Sequence, residues 1–142
     1  MSKEIGNRLP DALYATLRAT RTAEQSGRAI VISTVDQHGW AHPALLSYRE
    51  VSAADPATLQ VVTFDGTRTT ANMRSNGKLT LIFVDERMTY YVKGTATEVP
   101  SEPGASFATM TVAVEQVLED APRDGEEGAN ITSGITFDET RP

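Results

Sequence analysis

Cysteine is absent from this chain of 142 residues, and histidine occurs only at His38 and His42. The lack of cysteine excludes disulfide bonds, thiolate nucleophiles and zinc or iron–sulfur sites built on thiolates. With so few histidines we predict no metal site. No apolar run approaches the length of a membrane span, and no apolar segment follows the first charged residues. We therefore expect a cytoplasmic protein that does not enter a membrane.

An excess of positive charge is also lacking, because the formal net charge is -6. This balance argues against nucleic-acid binding. Residues 1–114 contain eleven acidic and eleven basic residues, whereas residues 115–142 contain eight acidic and two basic ones. The acidity therefore belongs to an acidic loop and tail at residues 118–142, which lack the spacing of an EF-hand. A solvated loop and a calcium loop of another kind both remain open.

Three sequence motifs that would identify a common enzyme class are missing. The chain has no G-x-G-x-x-G, and Gly77-Lys78 is not a P-loop because Asn72 stands five positions before Gly77. Residues 104–108 lack the final glycine of a G-x-S-x-G nucleophile elbow. The sequence therefore gives no indication of a dinucleotide-binding, P-loop or α/β-hydrolase enzyme.

The length of the chain fits a single domain, residues 1–142, with a sizeable core. Leu9, Leu13 and Leu17 recur at a spacing of four, and Pro10 and Gly27 bracket them, which predicts a helix over residues 10–25 within an N-terminal segment 1–27. The remaining pattern predicts strands at residues 29–35, 40–51, 58–64, 78–84, 88–99 and 109–117, a short helix at 69–75 and a weak strand at 131–137.

The order of these elements predicts the fold class. Strands that follow one another through short turns, with few helices, favour a mainly β, antiparallel sheet that closes into a small barrel. A parallel, doubly wound sheet is disfavoured because the helical crossovers that it needs are missing. Pro43 within its strand requires an edge position, a bulge or a place where no N–H is needed, and Gly94 indicates a bulge or a close backbone approach.

Residues 58–82 are the part of the chain with the most chemistry. A strand ends in a turn rich in hydroxyl groups and runs into the N-terminus of the short helix, where free N–H groups and the helix dipole favour an anion. Arg68 would add a charge-assisted pair. Alternatively, Gly66 supplies a turn, a threonine caps the helix and Arg68 is solvated. From this segment alone, a phosphate cradle and a simple helix cap are both open.

Three segments in this order, VISTVDQHGWAHPALLSY, TLQVVTFDGTRTTANMRSNGKLTLIFV and MTYYVKGTATEV, resemble the pyridoxamine 5'-phosphate oxidase-like proteins, which are FMN-binding split barrels. The resemblance covers residues 28–99. It implies a six-stranded antiparallel split barrel of Greek-key type, with the short helix between the third and fourth strands. It also implies a homodimer with FMN at the interface between the subunits.

The resemblance assigns cofactor-binding roles residue by residue. The positions that match the phosphate-binding part of the family are Thr63, Thr67, Arg68 and Thr69. The strand whose backbone lies along the flavin ring is matched by Pro43, Ala44 and Leu45. Thr89 matches a position near the polar edge of the ring. No catalytic residue is assigned.

Two positions depart from the family pattern. Thr69 stands where many flavin-binding members carry a second lysine or arginine, and the arginine- and histidine-bearing C-terminal segment of the true oxidases has no match in ITSGITFDETRP, where Arg141 stands alone. We therefore predict an FMN-binding protein of oxidoreductase type, of unknown substrate, that does not oxidise pyridoxamine phosphate. The alternatives are a flavin-free dimer that acts as a binding or stress-associated module, and a barrel that uses a deazaflavin or haem.

Overall fold

A computed structural model describes residues 2–18, 27–86, 88–121, 128 and 130–138 of the chain. Within these residues, eight strands form one curled antiparallel sheet in the order β3-β2-β6-β7-β8-β5-β4, and β1 pairs with β8 beside this path. The elements are β1 (Ser2–Gly6), α1 (Asp11–Arg18), β2 (Ala29–Val35), β3 (Ala41–Ser47), β4 (Val51–Asp55), β5 (Thr58–Phe64), α2 (Arg68–Asn76), β6 (Lys78–Asp85), β7 (Met88–Val99) and β8 (Phe107–Asp120).

The concave face of the sheet holds the core, because apolar side chains alternate with polar ones along the strands. On β8, Ala108, Met110 and Val112 are fully buried, whereas Thr111 and Ala113, on either side of Val112, are exposed. Burial of a large apolar side chain stabilises the fold by about 1.5–3 kcal/mol. The alternation therefore determines which face turns inward, since a shift of one residue would expose the whole set.

Two short helices cover parts of this core. Helix α1 packs on β4 and buries Leu13 and Leu17 completely, and the Leu9 N–H just before it donates to the Pro56 carbonyl over 2.7 Å. Helix α2 joins β5 to β6, packs mainly on β2 and buries its own Met73. Neither described helix is long and apolar enough to cross a membrane.

The predicted mainly β, antiparallel fold is confirmed, and the sheet differs from the prediction in strand number. Strands β1 and β4 add two to the six expected, because their polar and alanine-rich sequences carry little β-propensity and only pairing with β8 and β5 makes them strands. The strand predicted over residues 40–51 is divided by a turn, in which the Glu50 N–H donates to the Ser47 carbonyl over 3.1 Å. The weak strand at 131–137 is reduced to one bridge, between Arg28 and Thr136.

Pro43 and Gly94 each occupy a backbone environment that the sequence allows for them. Pro43 lies on β3, an edge strand of the described sheet, which is one of the positions where a missing N–H is tolerated. Gly94 lies at a register shift between β7 and β8, and a Cβ there would be 2.6 Å from the Ala113 carbonyl oxygen. The close backbone approach predicted at Gly94 is therefore confirmed.

Some predictions fall on residues outside the described ranges. The end of the predicted N-terminal helix, residues 19–25, is one of them, and so are most of the acidic loop, residues 122–127, and Arg141. The start of that helix and the Asn76-Gly77 stop of the short helix are confirmed, the latter with Gly77 in the left-handed region at φ 73°.

Candidate functional site

Helix α2 begins at the end of β5 with a well-formed cap. Thr67 has an extended backbone, and its hydroxyl oxygen accepts a hydrogen bond from the Thr70 N–H over 3.3 Å. The Ala71 N–H donates to the Thr67 carbonyl over 3.1 Å. Thr67 is thus the N-cap, the role that the simpler sequence interpretation gives to one of these threonines.

The threonine hydroxyls around this cap are directed inward. The Phe64 carbonyl accepts a hydrogen bond from Thr67 Oγ1 over 2.9 Å and another from Thr70 Oγ1 over 2.6 Å. Each hydroxyl has one proton, so the bond between Thr63 Oγ1 and Thr70 Oγ1, at 2.6 Å, takes its proton from Thr63. Thr63 and Thr70 are buried, and their hydroxyls join the end of β5 to the first turn of α2.

Arg68 supplies a guanidinium at this helix terminus. Its side chain is exposed and forms no hydrogen bond or ion pair with any residue that the structure describes. The N–H groups of Arg68 and Thr69 precede the first intrahelical bond and have no acceptor among the described residues. Two backbone donors, a guanidinium and the positive end of the helix dipole therefore meet at one exposed point, which is a fitting site for an anion.

Thr69 lies beside Arg68 but is only 5% exposed. The residue that stands in place of the family's second cation is therefore packed inward, where a long solvated side chain would not fit without rearrangement. A phosphate at this terminus would depend on one guanidinium and on backbone N–H groups.

Strand β3 carries the three residues expected along a flavin ring. Pro43 is exposed, Ala44 packs against the core from its half-buried position, and Leu45 is 51% exposed. Because β3 is an edge strand of the described sheet, its outer face and outer edge are accessible to a ligand. The structure thus leaves open the surface that the resemblance assigns to the ring.

Thr89 lies apart from the other seven residues of the prediction. It is on β7 opposite Val84, near the end of β6, whereas α2 leads into the start of β6 at Lys78. These two positions on β6 are separated by about 20 Å at the rise of a β-strand. One copy of the chain does not bring Thr89 to the N-terminus of α2.

A polar link beneath α2 was missed in the sequence. Asn72 Nδ2 donates to Thr34 Oγ1 over 3.0 Å, and Thr34 Oγ1 lies 3.5 Å from the carbonyl oxygen of His42 on β3. Thr34 and Asn72 are both buried. The helix that carries Arg68 is therefore fastened to the residue next to Pro43. The one signal in the sequence is an asparagine in the middle of a short helix, a place that it does not favour.

Arg74 fastens α2 on its other side. Its guanidinium donates to both carboxylate oxygens of Glu98 on β7, over 2.7 and 2.8 Å, and to Asp65 Oδ1 over 2.6 Å. These hydrogen bonds raise the pKa of Arg74 and lower the pKa of Glu98. The ion pairs of Arg74 with Glu98 and Asp65 therefore connect the turn before α2 to β7 and support the position of Thr67 and Arg68.

Comparison with known proteins agrees with this fold. Residues 17–135 match the family model of pyridoxamine 5'-phosphate oxidase. The uncharacterised protein YclD of Bacillus subtilis (strain 168) is 27% identical over 131 residues, which cover 91% of this chain and 82% of that protein.

Two solved structures share the architecture at low identity. A candidate pyridoxamine 5'-phosphate oxidase from Lactobacillus delbrueckii superposes with a TM-score of 0.62 at 17% identity, over 81% of this chain and 98% of that one. An FMN-binding protein from Syntrophomonas wolfei gives a TM-score of 0.60 at 13% identity, over 79% and 88%. At these identities the structures establish the fold alone, and the family model matches most of the sequence. The chain therefore belongs to the pyridoxamine 5'-phosphate oxidase family.

Proposed function

We propose that this chain binds FMN through the N-terminus of α2 and strand β3, and acts as a flavin-dependent oxidoreductase. The observation that carries the proposal is the exposed Arg68 beside the N–H groups of Arg68 and Thr69, none of which has a partner among the residues that the structure describes. This is the donor set that a phosphate requires. Family membership and the FMN-binding protein with the same fold support the choice of a flavin phosphate.

Different residues of the chain would bind the phosphate and the ring of the flavin. Arg68 and the two N–H groups would hold the phosphate, with Thr67 and Thr69 at the same turn and Thr63 beneath it. The backbone of Pro43, Ala44 and Leu45 would lie along the ring and orient it. Bound FMN would supply hydride transfer, and the substrate is not specified by these residues.

A homodimer would complete the site. Thr89 of the same copy lies at the opposite end of β6 from the end that α2 joins, so we assign the contact between the flavin and Thr89 to a second copy. The sheet also presents an outward row of apolar side chains across five strands, at Leu45, Val31, Ile82, Tyr91 and Leu118. Such a row on the face opposite the core favours association of two copies.

The proposal can be tested by titrating the purified protein with FMN and with riboflavin, which lacks the phosphate, and following flavin fluorescence and thermal stability. FMN should bind, turn the protein yellow and raise its melting temperature. Arg68→Ala should weaken FMN binding about 10- to 100-fold, as expected for the loss of a charge-assisted bond, and should leave riboflavin binding unchanged. Arg8→Ala, at an exposed arginine outside α2, is the matched control.

A colourless protein that gains no thermal stability from excess FMN would overturn the proposal. Binding of a deazaflavin or haem in place of FMN would assign the fold to one of the alternative cofactors. An equal loss of FMN and riboflavin affinity in Arg68→Ala would place the phosphate elsewhere.

A further inference from the structure

A groove of about 450 Å³ runs across the outer face of the sheet, on the side away from the core. Its lining includes Ser33, Thr34, Lys78, Thr80, Lys93 and Glu115, which come from four strands. The Thr34 side chain is buried and bonded to Asn72, so the other five supply the polar groups of the groove. Gly39 and Ala41 form one end at the β2–β3 hairpin and fill little space. The volume lies within the range of about 300–1,000 Å³ that small-molecule sites occupy.

Strand register brings the polar groups together. Ser33 on β2 is opposite Thr80 on β6, and Thr80 is opposite Lys93 on β7. Lys78 lies two residues before Thr80 and therefore projects from the same face. Neighbouring strands are about 4.8 Å apart, so two hydroxyls and two ammonium groups line the same short stretch of groove.

A bulge adds the carboxylate. Lys93 is paired with Gln116 and Gly94 with Val114, which leaves Glu115 without a partner on β7. Extra residues at bulges are re-aimed relative to the regular strand, and Glu115 is turned into the groove. Gly94 is required at this bulge, because a Cβ there would meet the Ala113 carbonyl oxygen.

The charges in the groove are not satisfied within the described chain. The side chains of Lys78, Lys93 and Glu115 form no ion pair with another described residue. Lysines close together on adjacent strands repel one another, and the two outnumber the one carboxylate. An anion between the ammonium groups would remove this repulsion and would also accept hydrogen bonds from the two hydroxyls.

We propose that this groove binds the phosphate or carboxylate group of a small ligand. Lys78 and Lys93 pair with the anion, Ser33 and Thr80 donate hydrogen bonds to it, and Glu115 accepts from a donor group elsewhere on the same ligand. The site is separate from Arg68, because α2 lies between Arg68 and Lys78 and its nine residues span about 13 Å.

The position of the groove indicates which class of substrate the proposed flavin site would take. Ser33 is paired with Pro43, so the groove adjoins the strand that would carry the flavin ring. An anion held there would belong to a substrate beside the ring, which would make the substrate an acidic small molecule. This last step rests on the proposed function, whereas the anion site itself does not.

The test uses flavin-free protein labelled with ¹⁵N, titrated at constant ionic strength with inorganic phosphate in one series and with succinate in another. Saturable shifts of the Ser33, Thr80 and Gly94 amide signals are expected in at least one series, and the tighter series identifies phosphate or carboxylate as the preferred group. The double variant Lys78→Gln/Lys93→Gln should weaken that binding by about tenfold or more. Lys3→Gln, on exposed β1, should bind like the parent.

The proposal is overturned if neither anion gives saturable shifts at these three amides, or if Lys3→Gln weakens binding as much as the double variant. Unchanged amide signals outside the groove confirm that the double variant is folded, and Lys93→Glu provides a second variant that should abolish binding. Flavin binding is followed separately by fluorescence. A protein that binds phosphate in the groove but no FMN would refute the proposed function and leave the anion site standing.

Discussion

Asn72 Nδ2 donates a hydrogen bond to Thr34 Oγ1 over 3.0 Å, and both side chains are buried between α2 and β2. Thr34 in turn lies against the His42 carbonyl on β3. The bond therefore joins the helix with the proposed phosphate site to the hairpin with the proposed ring strand. A polar contact in this position costs stability if it is broken, because the hydroxyl left behind is buried.

We expect Asn72→Ala to lower the free energy of unfolding by about 1–3 kcal/mol, the cost of an unsatisfied buried group together with lost packing. Thr34→Val keeps the shape of the side chain and removes the hydroxyl. In the Thr34→Val background the Asn72→Ala cost should be smaller by about 0.5–1.5 kcal/mol, which urea unfolding of the four proteins measures. Simple additivity of the two changes would show that the bond contributes nothing.

Leu45 tests the proposed dimer. Leu45→Glu places a charge on the exposed apolar row of the outer face and should shift the protein towards the monomer in sedimentation velocity. The control is Val99→Glu, on the far end of β7, where the side chain is 38% exposed and lies outside this row. A dimer that withstands Leu45→Glu, or a parent protein that sediments as a monomer, would contradict this interface.

Gly94→Ala should lower stability, because the new Cβ would lie 2.6 Å from both the Ala113 carbonyl oxygen and Val112 Cγ1. Forced overpacking of this kind costs about 1–3 kcal/mol. Gly66→Ala is the matched control, since a Cβ there meets no atom within 4 Å. Thermal and urea unfolding of the two variants should differ clearly, and equal stabilities would mean that the bulge can relax.

The ion pair between Arg74 and Glu98 predicts that the free energy of unfolding depends on pH. Hydrogen bonds from Arg74 hold the pKa of Glu98 below its usual value of 4.5, so the carboxylate is favoured in the folded state. A lowered pKa contributes stability that is present above the usual pKa and is lost as the pH falls through the folded one. Both groups are exposed, so the contribution is small and decreases with salt.

Glu98→Gln should therefore be less stable than the parent at pH 7, and the difference should shrink and then vanish as the pH falls through the lowered pKa of Glu98 in the folded protein. Glu102→Gln, at an exposed carboxylate with no ion pair among the described residues, controls for the change in net charge. Urea unfolding at several pH values measures both variants. A Glu98→Gln difference that persists at low pH would indicate a packing role in place of the ion pair.

Local sequence signals predicted much of the fold. Alternating or β-branched apolar runs located β2, β5, β6, β7 and β8, and the Asn76-Gly77 pair located the end of α2. The edge position of Pro43 and the close approach at Gly94 are each among the few backbone environments that the sequence left open for these two residues. Strands β1 and β4 did not follow, since their propensity is low and their partners are distant in sequence.

For the candidate site, the sequence predicted the residues at the helix N-terminus but not the contacts that they form. Order and spacing pointed to Thr67 and Arg68 at a helix N-terminus, and the structure places them there. The spacing did not show that the hydroxyls of Thr63 and Thr70 are bound to each other or that Thr69 is packed inward. It also did not reveal Asn72 and Thr34, which are 38 positions apart and meet only after α2 has packed on β2.

The sequence by itself determined the class of fold, a helix N-terminus that carries Arg68 and the absence of thiolate chemistry, because each depends on residue types and short spacing. Tertiary structure alone decided which donors remain available to a ligand, how far Thr89 lies from Arg68, and which lysines share a groove. Those properties depend on sheet register and on hydrogen bonds between residues far apart in the chain, and no local pattern records them.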